Sequence, residues 1–285
     1  MNKIYACIDG LAKTPAVIDW AVWSALQLDA PLELLHILER SPAHSAPINY
    51  SGSIGFGAQD SLLQELSTLD ETRGKLAQEA GRQLLEVARE RAFAAGVTRL
   101  DTRLRHGELV DNALEMEPDA KLFVLGEHER AADASKIHLD HHIERVIRAV
   151  KRPVLVATEA PFVTPKRFVI AFDGSETGRK TVATVARSPL LTGLSVLVVM
   201  AGDDTPHARQ QLEDAHQVLA AAGFDVSVEL TPGEPEQVIP ALIKAQGAGL
   251  LVMGAYGHSR IRQLIIGSTT TTLLRLSEVP VLILR

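Results

Sequence analysis

A chain of 285 residues exceeds the usual single domain of about 100–200 residues, so it calls for one large domain or two medium ones. With 46% hydrophobic and 22% charged residues it has the makeup of a folded globular protein, which excludes a disordered, collagen-like or disulfide-stapled chain. The net charge of −6 argues against a nucleic-acid partner, because neutralising phosphates takes clustered Lys and Arg.

The first apolar run, residues 3–10, ends in Asp9-Gly10 and reads as a strand. It contains Cys7, the only cysteine, so no intramolecular disulfide can form and a buried structural thiol is expected. No leader pattern precedes it, and no run approaches about 18 apolar residues. No membrane partner and a cytoplasmic location follow as expectations.

Residues 14–28 carry Val17, Ile18, Ala21, Val22, Ala25 and Leu26 as a helical stripe. A second apolar run spans 32–38. Residues 41–57, with Pro42, Pro47, Gly52, Gly55 and Gly57, read as a long loop or lid. Residues 60–95 read as helix, with apolar spacing at Leu76, Ala80, Leu84, Val87 and Ala88. Then come His106-Gly107-Glu108 and apolar runs at 122–126 and 152–156. Residues 158–165, with Pro161 and Pro165, read as a linker.

Beyond the linker the same landmarks return in the same order. They are residues 167–174 ending in Asp173-Gly174, 194–200, Pro232-Gly233-Glu234, 250–254 and 279–283. Helical stretches at 207–222 and 235–245 lie between them. The chain is therefore written twice, as domains 1–157 and 166–285 joined by 158–165. Short Val-, Ile- and Leu-rich runs fit strands buried on both faces of a parallel sheet. Each half reads β-α-β-α-β-α-β-α-β, an α/β fold of two tandem five-stranded parallel-sheet domains. In the common strand order 3-2-1-4-5, strands one and four flank the switch point where ligands bind.

The second half holds the motif Gly254-x2-Gly257-x9-Gly267-Ser268. Gly254 ends the fourth strand, and Ser268 opens a last helix over Ser268–Leu276. A helix start offers free N–H groups and a positive dipole end, suited to phosphate. Glycine lets backbone approach a ligand, and the hydroxyls of Ser268, Thr269 and Thr270 add donors. Across the crevice Asp173 could hold an adenine, a ribose hydroxyl or Mg²⁺, or serve only as a turn or helix-cap residue. Arg260 and Arg262 lie within the loop, either reaching phosphates or facing solvent.

The spaced glycine motif, the Asp-ending first strand and the closing Val279-Pro280-Val281-Leu282-Ile283-Leu284 resemble the universal stress protein family, here as a tandem member. The resemblance implies an adenine-nucleotide alpha-hydrolase-like fold and binding of ATP or AMP, with or without Mg²⁺. It implies nucleotide-binding roles for Ala171, Phe172, Asp173, Val199, Met253, Gly254, Gly257, Gly267, Ser268, Thr269 and Thr270. It also implies pairing of the fifth strands, 153–157 and 280–284, either between the halves or between two chains as a homodimer.

The first half departs from the motif. Aligning Pro153 with Pro280 puts Asp140 at the place of Gly267 and His141 at Ser268, while Gly126 matches Gly254 and Glu129 then falls where Gly257 would be. Like charges at ~4 Å repel by about 1 kcal/mol even in water, so a triphosphate is disfavoured there although Asp9, Gly10 and Gly126 remain. His128, His138, Asp140, His141 and His142 could form a Zn²⁺ set, but adjacent His141 and His142 aim poorly at one point, and a solvated face is the simpler reading. No metal site is assigned. No Walker-type motif and no nucleophile triad occur. The expected function is a nucleotide-binding stress-response protein, regulatory and without a catalytic set. The alternatives are a slow ATPase or phosphotransferase drawing on His258 or Asp173, and a protein-interaction module.

Overall fold

The computed structural model describes residues 2–38, 56–126, 141–158, 160–255 and 268–285. The first half runs β1 (Lys3–Cys7), α1 (Thr14–Gln27), β2 (Leu32–Leu38), α2 (Phe56–Ala94), β3 (Leu100–His106), α3 (Leu109–Met116), β4 (Ala120–Gly126), α4 (His141–Ala149) and β5 (Val154–Ala157). The second repeats it as β6 (Arg167–Ala171), α5 (Glu176–Ala186), β7 (Ser195–Ala201), α6 (Pro206–Ala221), β8 (Val226–Thr231), α7 (Pro235–Gln246), β9 (Leu250–Gly254), α8 (Ser268–Leu276) and β10 (Val281–Leu284). Of the loop expected over 41–57, residues 41–55 lie outside the described residues, while Phe56 and Gly57 belong to α2.

All ten strands form one sheet in the order β3-β2-β1-β4-β5-β10-β9-β6-β7-β8. Each half therefore has the order 3-2-1-4-5. Every neighbouring pair is parallel except β5 and β10. That seam pairs Val156 with Val281, Leu155 with Leu282 and Val154 with Ile283. Leu155 and Leu282 are repeat counterparts, so a pseudo-twofold axis passes between them. The pairing is made within the chain. Its residues are 5% exposed or less, so the seam is continuous with the core.

The axis keeps each sheet face on one side. One face packs α1, α2, α5 and α6, the other α3, α4, α7 and α8. Because β5 and β10 are antiparallel, the carboxyl ends of the two parallel halves point to opposite edges of the sheet.

Two helical stripes differ from expectation. In α1 Leu26 is 54% exposed whereas Trp20 and Trp23 are buried. Trp20 makes edge contacts with Trp23 and with Phe162 of the linker, at ring centroid distances of 5.3 and 5.0 Å. A central helix meets the sheet, α2 and the linker at once, so one stripe does not describe it. In α2 the buried apolar side chains among the described residues are Leu85, Ala88 and Ala92, while Leu76 and Val87 are each 65% exposed. Thirty-nine residues make a helix of about 58 Å, whereas the seven-residue strand β3 spans about 23 Å. At about 100° per residue, Leu76 and Val87 stand roughly 180° and 160° from the buried Leu85, so both lie on the outer face of the helix.

Candidate functional site

The second-half crevice starts where β6 ends. Phe172 donates its N–H to the Val199 carbonyl at 2.9 Å, extending the β6–β7 ladder by one residue. The chain then turns sharply. Exposed Asp173 accepts the Ser175 N–H at 3.0 Å on Oδ1. Ser175 is the helix cap, its hydroxyl accepting the Gly178 N–H at 3.0 Å. Of the turn and cap roles open to Asp173, the structure has the turn. Gly174 has φ of +69°, a region that favours glycine. Its carbonyl accepts from Gln211 of α6 at 3.0 Å and from Arg179 at 2.5 Å. These two clamps lie 37 and 5 residues away in sequence, and no motif announces them.

β9 lies beside β6, so Gly254 sits at the neighbouring strand end. A Cβ on Gly254 would lie 2.7 Å from Thr177 Cγ2 and 2.9 Å from Thr181 Oγ1. Its bare backbone therefore lets α5 pack against the end of β9. Gly126 does the same in the first half, where a Cβ would lie 2.8 Å from Val17 Cγ2. Close approach at both positions is to a helix.

Val199 and Met253 are buried, at 0% and 3% exposure, while Ala171 and Gly254 are half-buried. α8 joins the parallel strands β9 and β10, so it must run back across the sheet. Its N-terminus at Ser268 thereby returns to the carboxyl edge that carries Asp173 and Gly254, with its first N–H groups lacking partners within the helix. Thr269 is half-buried and Thr270 is buried there. Gly257, His258, Arg260, Arg262 and Gly267 lie outside the described residues, as does the side chain of Ser268.

In the first half Asp9 makes the corresponding turn. Its Oδ1 accepts the Leu11 N–H at 2.8 Å and the Thr14 hydroxyl at 2.7 Å, and that hydroxyl accepts the Gly10 N–H at 2.9 Å. Cys7 departs from expectation: it is half-buried at the strand end, not enclosed in the core. Burial pushes its thiol up to about 12. Residues 127–140 fall outside the described residues, so the carboxylates and histidines placed there in sequence have no structural account, and only His142 of that cluster has a described side chain. Among the described residues no group of three His, Cys, Asp or Glu is arranged to hold a metal ion, and no helix is long and apolar enough to cross a membrane.

The chain matches the model described as "Universal stress protein family" over residues 1–158 and 165–285. Universal stress protein Slr1230 of Synechocystis sp. is 34% identical over 288 residues, covering 100% of both chains. Universal stress protein Rv2005c of Mycobacterium tuberculosis is 21% identical over 300 residues, covering 98% of this chain and 95% of that one. The crystal structure of a universal stress protein from Archaeoglobus fulgidus superposes with a TM-score of 0.69 at 19% identity, covering 100% of this chain and 96% of that chain. At that identity the likeness is one of fold.

Proposed function

Since the chain belongs to the universal stress protein family, we propose that its second half binds an adenine nucleotide, ATP or AMP, as a regulatory ligand and not as a substrate. One observation carries the reading. At the switch point of a 3-2-1-4-5 sheet, a turn carboxylate, a glycine strand end and the N-terminus of α8 share one edge. In this reading Asp173 takes hydrogen-bond donors of the nucleoside. Ala171, Phe172, Val199 and Met253 line the base side. Gly254, Gly257, Gly267, Ser268, Thr269 and Thr270 serve the phosphates, with or without Mg²⁺. The orphan N–H groups and dipole of α8 favour negative charge there.

The halves 1–157 and 166–285 are then two functional units, with the nucleotide in the second. Because β5 and β10 pair inside the chain, a homodimer would need another surface. The lone cysteine suits a reducing compartment, and the cytoplasm is the proposed location.

Calorimetry with ATP on the full chain tests the reading. Saturable binding that Gly267→Asp abolishes, with the circular dichroism spectrum unchanged, is the expected result. No heat and no thermal shift at millimolar ATP and Mg²⁺ would overturn it. Mass spectrometry of ligand released by heat from the purified protein tells ATP from AMP.

A further inference from the structure

α2 is far longer than the sheet beneath it requires. Its repeat counterpart α6 packs on the same strands of the second half with 16 residues, about 24 Å, against 39 residues and about 58 Å for α2. α2 meets the sheet at Gly81, where a Cβ would lie 2.8 Å from both His36 Cδ2 and Leu104 Cδ1, near the carboxyl ends of β2 and β3. Ahead of that contact, every described side chain from Gln64 to Ala77 is exposed. A helix in a protein draws most of its stability from a packed apolar face and little from its own turns in water.

The outer face of α2 carries an ordered apolar stripe. Leu69 is 54% exposed, Leu76 and Val87 are each 65% exposed, and Ala80 is exposed between them. At about 100° per residue these four lie within about 40° of one another along about 27 Å of helix. They occupy a and d places of a heptad that takes in Leu62 and Leu66 in the sequence, with Arg73 and Gln83 as its polar members. A narrow stripe of period 3.5 is the seam of a helix that pairs with another helix.

We propose that this face pairs with the same face of a second copy of the chain, as an antiparallel two-helix coil. Such a seam is complementary to itself. The fifth strands are already joined inside the chain, so association of two copies falls to another surface. Parallel pairing would set Arg73 against Arg73 across the seam. Antiparallel pairing faces each a place with a d place, which separates these cations and sets the two bodies at opposite ends of the coil. From residue 60 to 90 the outer face is about 45 Å long and about 11 Å wide, so the pair covers about 1,000 Å² in all. That is about the least a specific interface needs, and it gives a dimer that dissociates on dilution.

Sedimentation of the full chain between about 1 and 200 μM tests this, with the dimer expected to grow with concentration. Leu69→Glu and Leu76→Glu are each expected to raise the dimer dissociation constant about a hundredfold, since both copies bring a charge into the seam. Thr68→Glu adds the same charge beside the seam and should leave the dimer intact. Ala80→Leu should tighten it about tenfold. All four positions are exposed, so the circular dichroism spectrum of the folded body should not change. Orientation is read from spin-label distances in Cys7→Ala protein labelled at Thr68→Cys or at Arg82→Cys. An antiparallel pair must place at least one of these two label pairs about 21 Å or more apart along the coil, whereas a parallel pair keeps both close. A monomer at every concentration, a dimer untouched by both Glu substitutions in the seam, equal loss in Thr68→Glu, or short distances at both labels would overturn the proposal.

Discussion

Substitution Gly254→Ala separates two roles that a strand-end glycine can have. A Cβ here would stand 2.7 Å from Thr177 Cγ2 and 2.9 Å from Thr181 Oγ1, against about 3.5–4.0 Å for an ordinary carbon contact. Thr181 is 2% exposed and its hydroxyl donates to the Thr177 carbonyl at 3.0 Å, so it cannot swing away without losing that bond. Overpacking of this kind costs about 1–3 kcal/mol. Replacing glycine stiffens the unfolded chain and returns about 0.4–1 kcal/mol. The net expectation is a loss of about 1–2 kcal/mol, read as a lower urea midpoint at constant slope. Thr177→Ser removes the offending methyl and Thr181→Ala the hydroxyl. In that double background Gly254→Ala should become neutral or stabilising, by up to about 1 kcal/mol. The sign reverses only if the clash is the cause. Equal destabilisation in both backgrounds, or wild-type stability for Gly254→Ala alone, would refute the packing argument.

Other substitutions give smaller or pH-dependent signals. Ser175→Ala removes the α5 cap and should cost about 1 kcal/mol in urea unfolding, while Ser175→Asp should restore most of it. Lys3→Met leaves the fully buried Glu33 carboxylate, held by Lys3 at 2.9 Å and Arg103 at 2.6 Å, with one cation. Chemical denaturation should show a loss of about 1–3 kcal/mol, and a loss under about 0.5 would mean that Arg103 suffices. Cys7 keeps its proton to about 12 when folded, against about 9 for an ordinary thiol. Above pH 9 the unfolded chain therefore binds fewer protons than the folded one, so this contribution is complete below pH 9 and falls as pH rises towards 12. Cys7→Ala should flatten that part of the stability curve, and an unchanged slope would show that the thiol titrates alike in both states.

The readable part of this protein is the part set by local period and by repetition. Short Val-, Ile- and Leu-rich runs alternate with helical stretches, and the doubling of Asp9-Gly10 as Asp173-Gly174 and of the Pro153 and Pro280 runs marks two copies. Strand order follows because right-handed crossovers allow few arrangements of such a unit. The start of α8 at Ser268 was legible for the same reason. Helix faces were less so. Leu76 and Val87 fit an apolar stripe, yet both lie on the outer face of α2, away from the buried Leu85.

What tertiary structure alone decided are the meetings between distant segments. Two chemically equivalent fifth strands can pair within a chain or between chains, and only the fold brings Leu155 onto Leu282. Gly254 looks the same in sequence whether a ligand or Thr177 of α5 occupies the space beside it. Cys7 reads as core from its apolar neighbours, but position at the strand end, above a cavity, leaves it half-buried. A sequence carries the periodicity of each element. The distance between elements belongs to their packing, which here joins two parallel halves through one antiparallel seam and turns their carboxyl ends to opposite edges of the sheet.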